Sequence, residues 1–394
     1  MNEFVPVSKA KELLKSLSFS QKTEFLPIQE ALGKFIAEPI ISTMAVPSFD
    51  NSGMDGYALA WGDGGESRKV VDVVQAGSKP EFELEKGTAV RIFTGAPIPK
   101  GADTVIQQEL ISRVGEVIFF EHEQVRQGMN VRSKGSQCQP GEVVIPAQTQ
   151  LSPGSIGLLA SLGIEKVSVF KSPKIGIVLT GDEIVDLGKD LLPGQIYNSN
   201  GPALEAYLRR LGIKDIKFYK AKDQAAEVTQ VIQKALKEGD ILLLTGGISV
   251  GDYDFVKAGL EKNGVSQLFY KVKQRPGKPL YAGYTEGKMV FALPGNPASV
   301  LSCFIQFVKP ILLDWTGDPS PWKGPEFYPI SKDFDKKAEM TFFLKAKIQN
   351  GKAVILPGQE SFNLLPFGVA DGLVEIPGEQ EHVEEGSLVA FYPW

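Results

Sequence analysis

The amino-acid sequence predicts a multidomain protein of α/β plus β class: a doubly wound α/β domain, a helical or mixed N-terminal domain with an inserted β-rich module, and a C-terminal β domain. Three observations lead there. At 394 residues the chain is long enough for about two to four domains. Between about 174 and 317, strand-like runs alternate with helical ones, the order of a parallel sheet with crossover helices. On either side of that region lie short strand-like runs cut by Gly and Pro turns.

From Ser8, SKAKELLKSL places Leu13, Leu14 and Leu17 at helical spacing behind a serine suited to capping. PIQEALGKFI repeats the theme, with Pro27 in a first helical turn, so the first segment is expected to be mainly helical. VVDVV, AVRIF, TVIQQ and VIFFE then read as a small β-rich module over 46–140. SPGSIGLLASLG, from Ser152, returns to a capped helix. The β module is therefore an insertion, and 1–45 with 141–172 form one discontinuous domain around it. In 173–320 the strands are IGIVLT, FYKAK, ILLLTGG and LFYKV, and the helices PALEAYLRRLG, AAEVTQVIQKALKEG and FVKAGLEKNG. After Trp322 helical periodicity is lost, and 321–394 reads as a C-terminal β domain.

Charge and composition narrow the function. With 42 basic against 47 acidic side chains and a net charge of -5, no global positive field attracts nucleic acid, so an anion must be held by a local patch. Cys138 and Cys303 are too few for a disulfide framework, form no CxxC pair and read as reduced thiols. The opening MNEFVPVSKAKELL shows no basic stretch followed by an apolar core, and the longest apolar run, 299–313, is cut by Lys309 and Pro310. A cytoplasmic protein without membrane contact is expected. The histidines are two, His122 and His382, both among glutamates and expected to be exposed, so acid–base and metal chemistry must rest on carboxylates.

Ligands of a doubly wound sheet sit outside the carboxyl ends of its strands. The strand at 175–179 runs into Thr180-Gly181-Asp182-Glu183, an acidic site for a metal or proton, or else a solvated turn. The strand at 241–244 runs into Thr245-Gly246-Gly247-Ile248-Ser249-Val250-Gly251, then Asp252, Tyr253 and Asp254 before a helix. Converging N–H groups and a helix N-terminus make this an anion cradle, the alternative being a plain turn with an Asp cap. Asp254 beside a phosphate suits Mg²⁺, and Asp223, after the strand at 218–221, either joins it or caps the next helix. In Tyr270-Lys271-Val272-Lys273-Gln274-Arg275 three cations fall at period two, so a strand would turn them to one face against an oxyanion, or serve as a lysine-protected edge. Lys278 follows in RPGKP, and LPGNP at 293–297 is a rigid turn feeding a helix. In the inserted module, Asp50 and Asp55 of SFDNSGMDGYAL and Thr94 of RIFTGAPIPKGAD sit on loops that are turns or site elements.

TGDE, TGGISVGDYD, RPGKP and LPGNP, together with FDNSGMDGYA and RIFTGAPIPKGAD, occur in one order along one chain. Together they resemble the molybdopterin molybdenumtransferase family, the bacterial MoeA proteins and the E domain of gephyrin, over nearly the whole length. The resemblance implies insertion of molybdate into the dithiolene of molybdopterin, with adenylylated molybdopterin as substrate, Mg²⁺-dependent cleavage of its phosphoanhydride and release of AMP. It implies an elongated four-domain homodimer with a composite active site, the α/β domain of one subunit facing the inserted module of the other, and docking by other molybdenum cofactor synthesis proteins. Carried over by motif, Asp182, Glu183, Asp223 and Asp254 are the acidic members, with Asp223 and Asp254 the metal ligands. Asp55 and Thr94 complete a site built mainly by the partner. Gly246, Gly247, Ser249 and Gly251 form the phosphate cradle, with Gly181 and Asn198 beside it. Lys278, Pro294, Gly295, Asn296 and Pro297 form the rim, and Arg275, Lys345 and Ser361 of GQESF match positions near the oxyanion.

Two positions depart from the family pattern. Lys134-Gly135-Ser136-Gln137 stands where the family usually has Arg-Gly-Glu-Asp, and Arg275 stands where it commonly has lysine, which keeps charge but alters hydrogen-bond geometry. Both bear on metal and anion preference, tungstate included. The competing readings are a molybdopterin adenylyltransferase or pyrophosphate hydrolase on the same scaffold, and a non-catalytic scaffold protein.

Overall fold

The computed structural model describes residues 4–248, 255–337 and 339–394. Its backbone packs as two units. The larger comprises the chain up to Leu26, Ala31–Ala37 and Ser168–Trp394; the smaller comprises Pro27–Glu30 and Glu38–Val167.

A six-stranded sheet organises the larger unit, in the order Ile216–Ala221, Ile175–Thr180, Ile241–Thr245, Lys288–Leu293, Tyr281–Thr285, Ser266–Tyr270. The first four strands are parallel, Tyr281–Thr285 runs opposite to them, and Ser266–Tyr270, antiparallel to Tyr281–Thr285, returns to their direction. The central strands are apolar throughout because both faces are covered. Ile175, Ile177, Ile241, Leu243 and Phe291 enter one buried cluster, whereas Val178, Leu242, Leu244, Val290 and Ala292 enter another with Val228, Ile232 and Ala235 of the Ala225–Glu238 helix. IGIVLT forms a strand as expected; FYKAK, ILLLTGG and LFYKV do so only as far as Ala221, Thr245 and Tyr270, and the sequence reading missed Tyr281–Thr285 and Lys288–Leu293.

The helix Pro297–Cys303 continues through a π turn, Phe304–Val308, into Lys309–Trp315. The π turn ends two residues before Pro310, which lacks an N–H and whose ring clashes with the carbonyl four residues back, that of Gln306, in a regular turn. Among the described residues this is the one helix long and apolar enough to cross a membrane, and 83% of its apolar window is buried within the protein. It is the core helix of the unit. Val7, Ala10 and Leu14 of the Val7–Lys15 helix join the same cluster.

Two expectations for the N-terminal segment fail. That helix begins after Pro6, with no side-chain cap, and Ser8 lies inside it. PIQEALGKFI is not helical: Pro27 ends the strand Thr23–Pro27, only Ile28–Glu30 makes a 3₁₀ turn, and Gly33 at φ 76° lies outside helical geometry.

A second six-stranded sheet orders Gln274–Arg275, which precedes the core helix, with Thr341–Gln349, Gly372–Ile376, Leu388–Pro393 and Glu326–Pro329, which follow it, and Lys352–Ile355 pairs with Thr341–Gln349. In the smaller unit a six-stranded sheet orders Thr104–Gln107, Gly56–Leu59, Thr88–Ile92, Ser67–Val74, Val117–Phe119 and Ser112–Val114. Its helix Pro153–Ser161 starts at Ser152, whose hydroxyl accepts the Ser155 N–H in a reciprocal capping box, as the sequence led one to expect.

Phe307 is fully buried on the core helix. Phe307→Ala is expected to destabilise the larger unit by about 3–5 kcal/mol, read from the shift of its urea unfolding midpoint at unchanged slope.

Candidate active site

The parallel strands direct their carboxyl ends to one edge of the sheet, and the loops that follow them surround an open cleft of about 790 Å³. Its floor is set by a close approach of two neighbouring loops. The Thr180 hydroxyl donates to the Thr245 carbonyl at 3.2 Å. Gly246, at φ 88°, lies so close that a Cβ would sit 2.7 Å from Thr180 Oγ1 and 2.8 Å from the Thr180 carbonyl oxygen. Both the left-handed backbone and the missing space demand glycine here. Gly247 follows at φ 59°, so the turn leaves its backbone lining the cleft without side chains in front.

Glu183 and Asp223 line the same cleft, with Asp182 exposed beside them. Asp223 accepts a hydrogen bond from the Asp182 backbone N–H. Its carboxyl is nonetheless raised above the usual range, first by burial and then by the negative charges of Glu183 and Asp182. The alternative of a helix cap does not hold, since the residue capping Ala225–Glu238 is Gln224.

The opposite wall is built from loops tied together by amides. Asn198 Oδ1 accepts the Gly201 N–H at 2.9 Å at the start of the Asn200–Arg210 helix, and Asn200 Nδ2 donates to the Gly295 carbonyl at 2.9 Å. Asn296 caps the core helix and donates from Nδ2 to Ser361 Oγ at 2.9 Å, while the Ala298 N–H donates to the Ser361 carbonyl at 3.1 Å. These bonds set the GQESF loop against the LPGNP turn, and Phe362 and Leu364 complete the lining. Asn200, Phe362, Leu364 and Tyr197, which also line the cleft, carry no motif of their own, although each is within three residues of an expected site position.

Some expected members stand elsewhere. Lys345 is 1% exposed and donates to the carbonyls of Gly358 (2.8 Å), Glu360 (3.2 Å) and Asn363 (3.4 Å). Burial pushes its ammonium down to about 8, while three acceptors match the three N–H bonds of the charged form. It braces the Ser361 loop from behind and does not line the cleft. The cationic row is not one strand: Ser266–Tyr270 ends before Lys271, which turns at φ 63°, and strand geometry resumes only at Gln274–Arg275. Lys273 and Lys278 lie 5.5 and 5.1 Å from the Phe4 ring centroid, and Arg275 5.5 Å from that of Phe342. Pro279, not Lys278, reaches the cleft wall. Ser249, Gly251 and Asp254 lie outside the described residues, among which no three His, Cys, Asp or Glu side chains converge as a preformed metal centre.

Within the smaller unit, Asp55 and Thr94 do meet. Asp55 Oδ1 accepts both the backbone N–H and the hydroxyl of Thr94 at 2.8 Å, and these bonds hold the exposed carboxyl below its usual range. Asp50 Oδ1 accepts the Lys134 N–H at 2.6 Å, so the Lys-Gly-Ser-Gln run is anchored at its first residue.

Comparison with known proteins places the chain in a family. Over 331 residues the chain is 40% identical to the molybdopterin molybdenumtransferase of Haemophilus influenzae, covering 83% of this chain and 81% of that one. The chain belongs to the molybdopterin molybdenumtransferase family. The Bacillus subtilis molybdopterin molybdenumtransferase is 33% identical over 98% of this chain and 93% of its own. Residues 5–163 match the MoeA N-terminal region (domain I and II), 176–314 a "probable molybdopterin binding domain", and 328–394 the MoeA C-terminal region (domain IV). The fold matches a crystal structure of a molybdopterin biosynthesis MoeA protein from Pyrococcus horikoshii with a TM-score of 0.85 and 34% identity, covering 99% of both chains. Membership makes this chain an enzyme of molybdenum cofactor biosynthesis.

Two substitutions check the construction of the site. Gly246→Ala is expected to cost about 2–4 kcal/mol in chemical denaturation, from strain and overlap with Thr180. Lys345→Met, which leaves three carbonyls without donors, is expected to cost about 2–4 kcal/mol and to speed amide exchange in the 358–363 loop.

Proposed function

We propose that the protein inserts molybdate into molybdopterin, taking the adenylylated pterin as substrate, cleaving its phosphoanhydride and releasing AMP. The observation that carries this reading is the pairing, in one cleft, of the glycine turn at Gly246-Gly247 with Asp223, a carboxyl raised by its acidic neighbours. Cleaving a phosphoanhydride requires placement and charge stabilisation more than covalent help from protein. Backbone N–H groups on the glycine turn and the N-terminus of the core helix at Asn296-Pro297 favour negative charge on the substrate. Asn198 and Asn200 fix the loop facing them, and Phe362, 68% exposed on the cleft wall, gives a flat ring a surface to lie on.

Asp223 with Glu183 suits Mg²⁺, because that ion takes one or two carboxylates and fills its other positions with phosphate oxygens and water, so no three-residue centre is needed. When bound, Mg²⁺ neutralises charge on the phosphoanhydride oxygens. A neighbouring cation would also relieve the mutual repulsion of Asp182, Glu183 and Asp223. Ser361, held by Asn296 and braced by Lys345, supplies a hydroxyl beside the helix N-terminus for the tetrahedral oxyanion. In this reading the protein works in the cytoplasm as a homodimer with a composite active site, to which the inserted module contributes Asp55 and Thr94.

The test is AMP release from adenylylated molybdopterin with Mg²⁺, in the presence and absence of molybdate. Molybdate-dependent release is expected, reduced about a hundredfold or more by Asp223→Asn. A carboxylate with a raised pKa is protonated earlier as pH falls, so at Mg²⁺ concentrations too low to fill the site activity is expected to drop on the acid side at a pH above the ordinary carboxylate range, a limb that excess Mg²⁺ shifts down and Asp223→Asn lacks. Release indifferent to molybdate, or equal in the variant, contradicts the proposal.

A further inference from the structure

A second cavity, of about 460 Å³, is walled by residues from the far end of the core helix, including Lys309, Pro310 and Leu313, and shares no lining residue with the cleft. Its size is that of a small-molecule site. Four lysines, Lys11, Lys15, Lys309 and Lys323, line it against two carboxylates, Asp318 and Glu326, in a chain whose overall charge is -5. Among the described residues, none of Lys15, Lys309 and Lys323 stands in an ion pair.

The wall is built rather than incidental. Lys11 Nζ donates to Gln306 Oε1 at 2.8 Å and to Tyr392 Oη at 3.5 Å, and lies 4.8 Å from the Tyr392 ring centroid. Gln306, on the π turn, is 1% exposed, lines the cavity, and has its amide Nε2 buried without an acceptor. Buried donors are nearly always paired, so this orphan donor leaves the wall behind Lys11 short of one acceptor. Trp322 presents its indole to the same space, with Lys15 Nζ 5.5 Å from the ring centroid. Burial also pushes the Lys11 and Lys309 ammonium groups down, a cost that a bound anion would offset.

We propose that this cavity binds a small organic oxyanion, a phosphate or carboxylate carried on a flat apolar body. The ring lies along Trp322, and the headgroup takes the surrounding ammonium groups. Nothing here rests on the chemistry proposed for the cleft.

The experiment is calorimetric titration of the full chain with phenyl phosphate, benzoate and inorganic phosphate. The variant is Lys15→Ala combined with Lys323→Ala; both side chains are exposed, and an unchanged melting curve confirms that the fold is intact. Saturable binding of phenyl phosphate or benzoate, tighter than that of inorganic phosphate and weakened about tenfold or more in the double variant and in Trp322→Leu, is the expected result. The two aryl anions distinguish a phosphate site from a carboxylate site. The proposal is overturned if neither aryl anion binds saturably, if inorganic phosphate binds as tightly, or if the variants bind like the parent chain.

Discussion

The close approach of Gly246 to Thr180 is the contact on which the rest of the site depends. Two parallel strands can deliver their loops to one point only if one loop passes over the end of the other, and the space left admits no Cβ. Once that is met, the backbone after Thr245 turns through left-handed geometry and the carboxylates after Thr180 and Ala221 are placed around it. The apolar character of the strands on both faces keeps this edge rigid, because side chains from two separate clusters clamp the sheet from either side.

Cleft and core are also linked through the helix that begins at Pro297. Its first turn holds Ser361 through Asn296 and Ala298, its middle fills the main cluster, and its π turn turns Gln306 toward Lys11. Lys345 shows how a buried charge is used for positioning: its ammonium is satisfied by three carbonyls of one loop, and the loop is held in place by it.

Much of this was legible in the sequence, for identifiable reasons. Alternation of apolar strands with amphipathic helices marked the α/β domain, and the motif order marked the family, because both are local signals repeated many times. Errors arose where one backbone conformation overrode a periodic pattern. Gly33 breaks PIQEALGKFI, and Lys271 at positive φ breaks the cationic row, neither of which periodicity registers. Asn200 and Phe362 carry no local signal because they reach the cleft only through tertiary packing, Asn200 by a bond to Gly295 95 residues along the chain. The resemblance places Lys345 near the oxyanion, and nothing in the sequence reveals that its ammonium is buried on three carbonyls.

The central claim is that the cleft at the carboxyl ends of the parallel strands is where the pterin nucleotide binds. Hydrogen–deuterium exchange with and without adenylylated molybdopterin and Mg²⁺ tests it most directly. The account predicts slowed exchange in the segments carrying Gly181, Gly246-Gly247 and 294–297, the loops that line the cleft. Protection confined to other surfaces, with these segments unchanged, would contradict it.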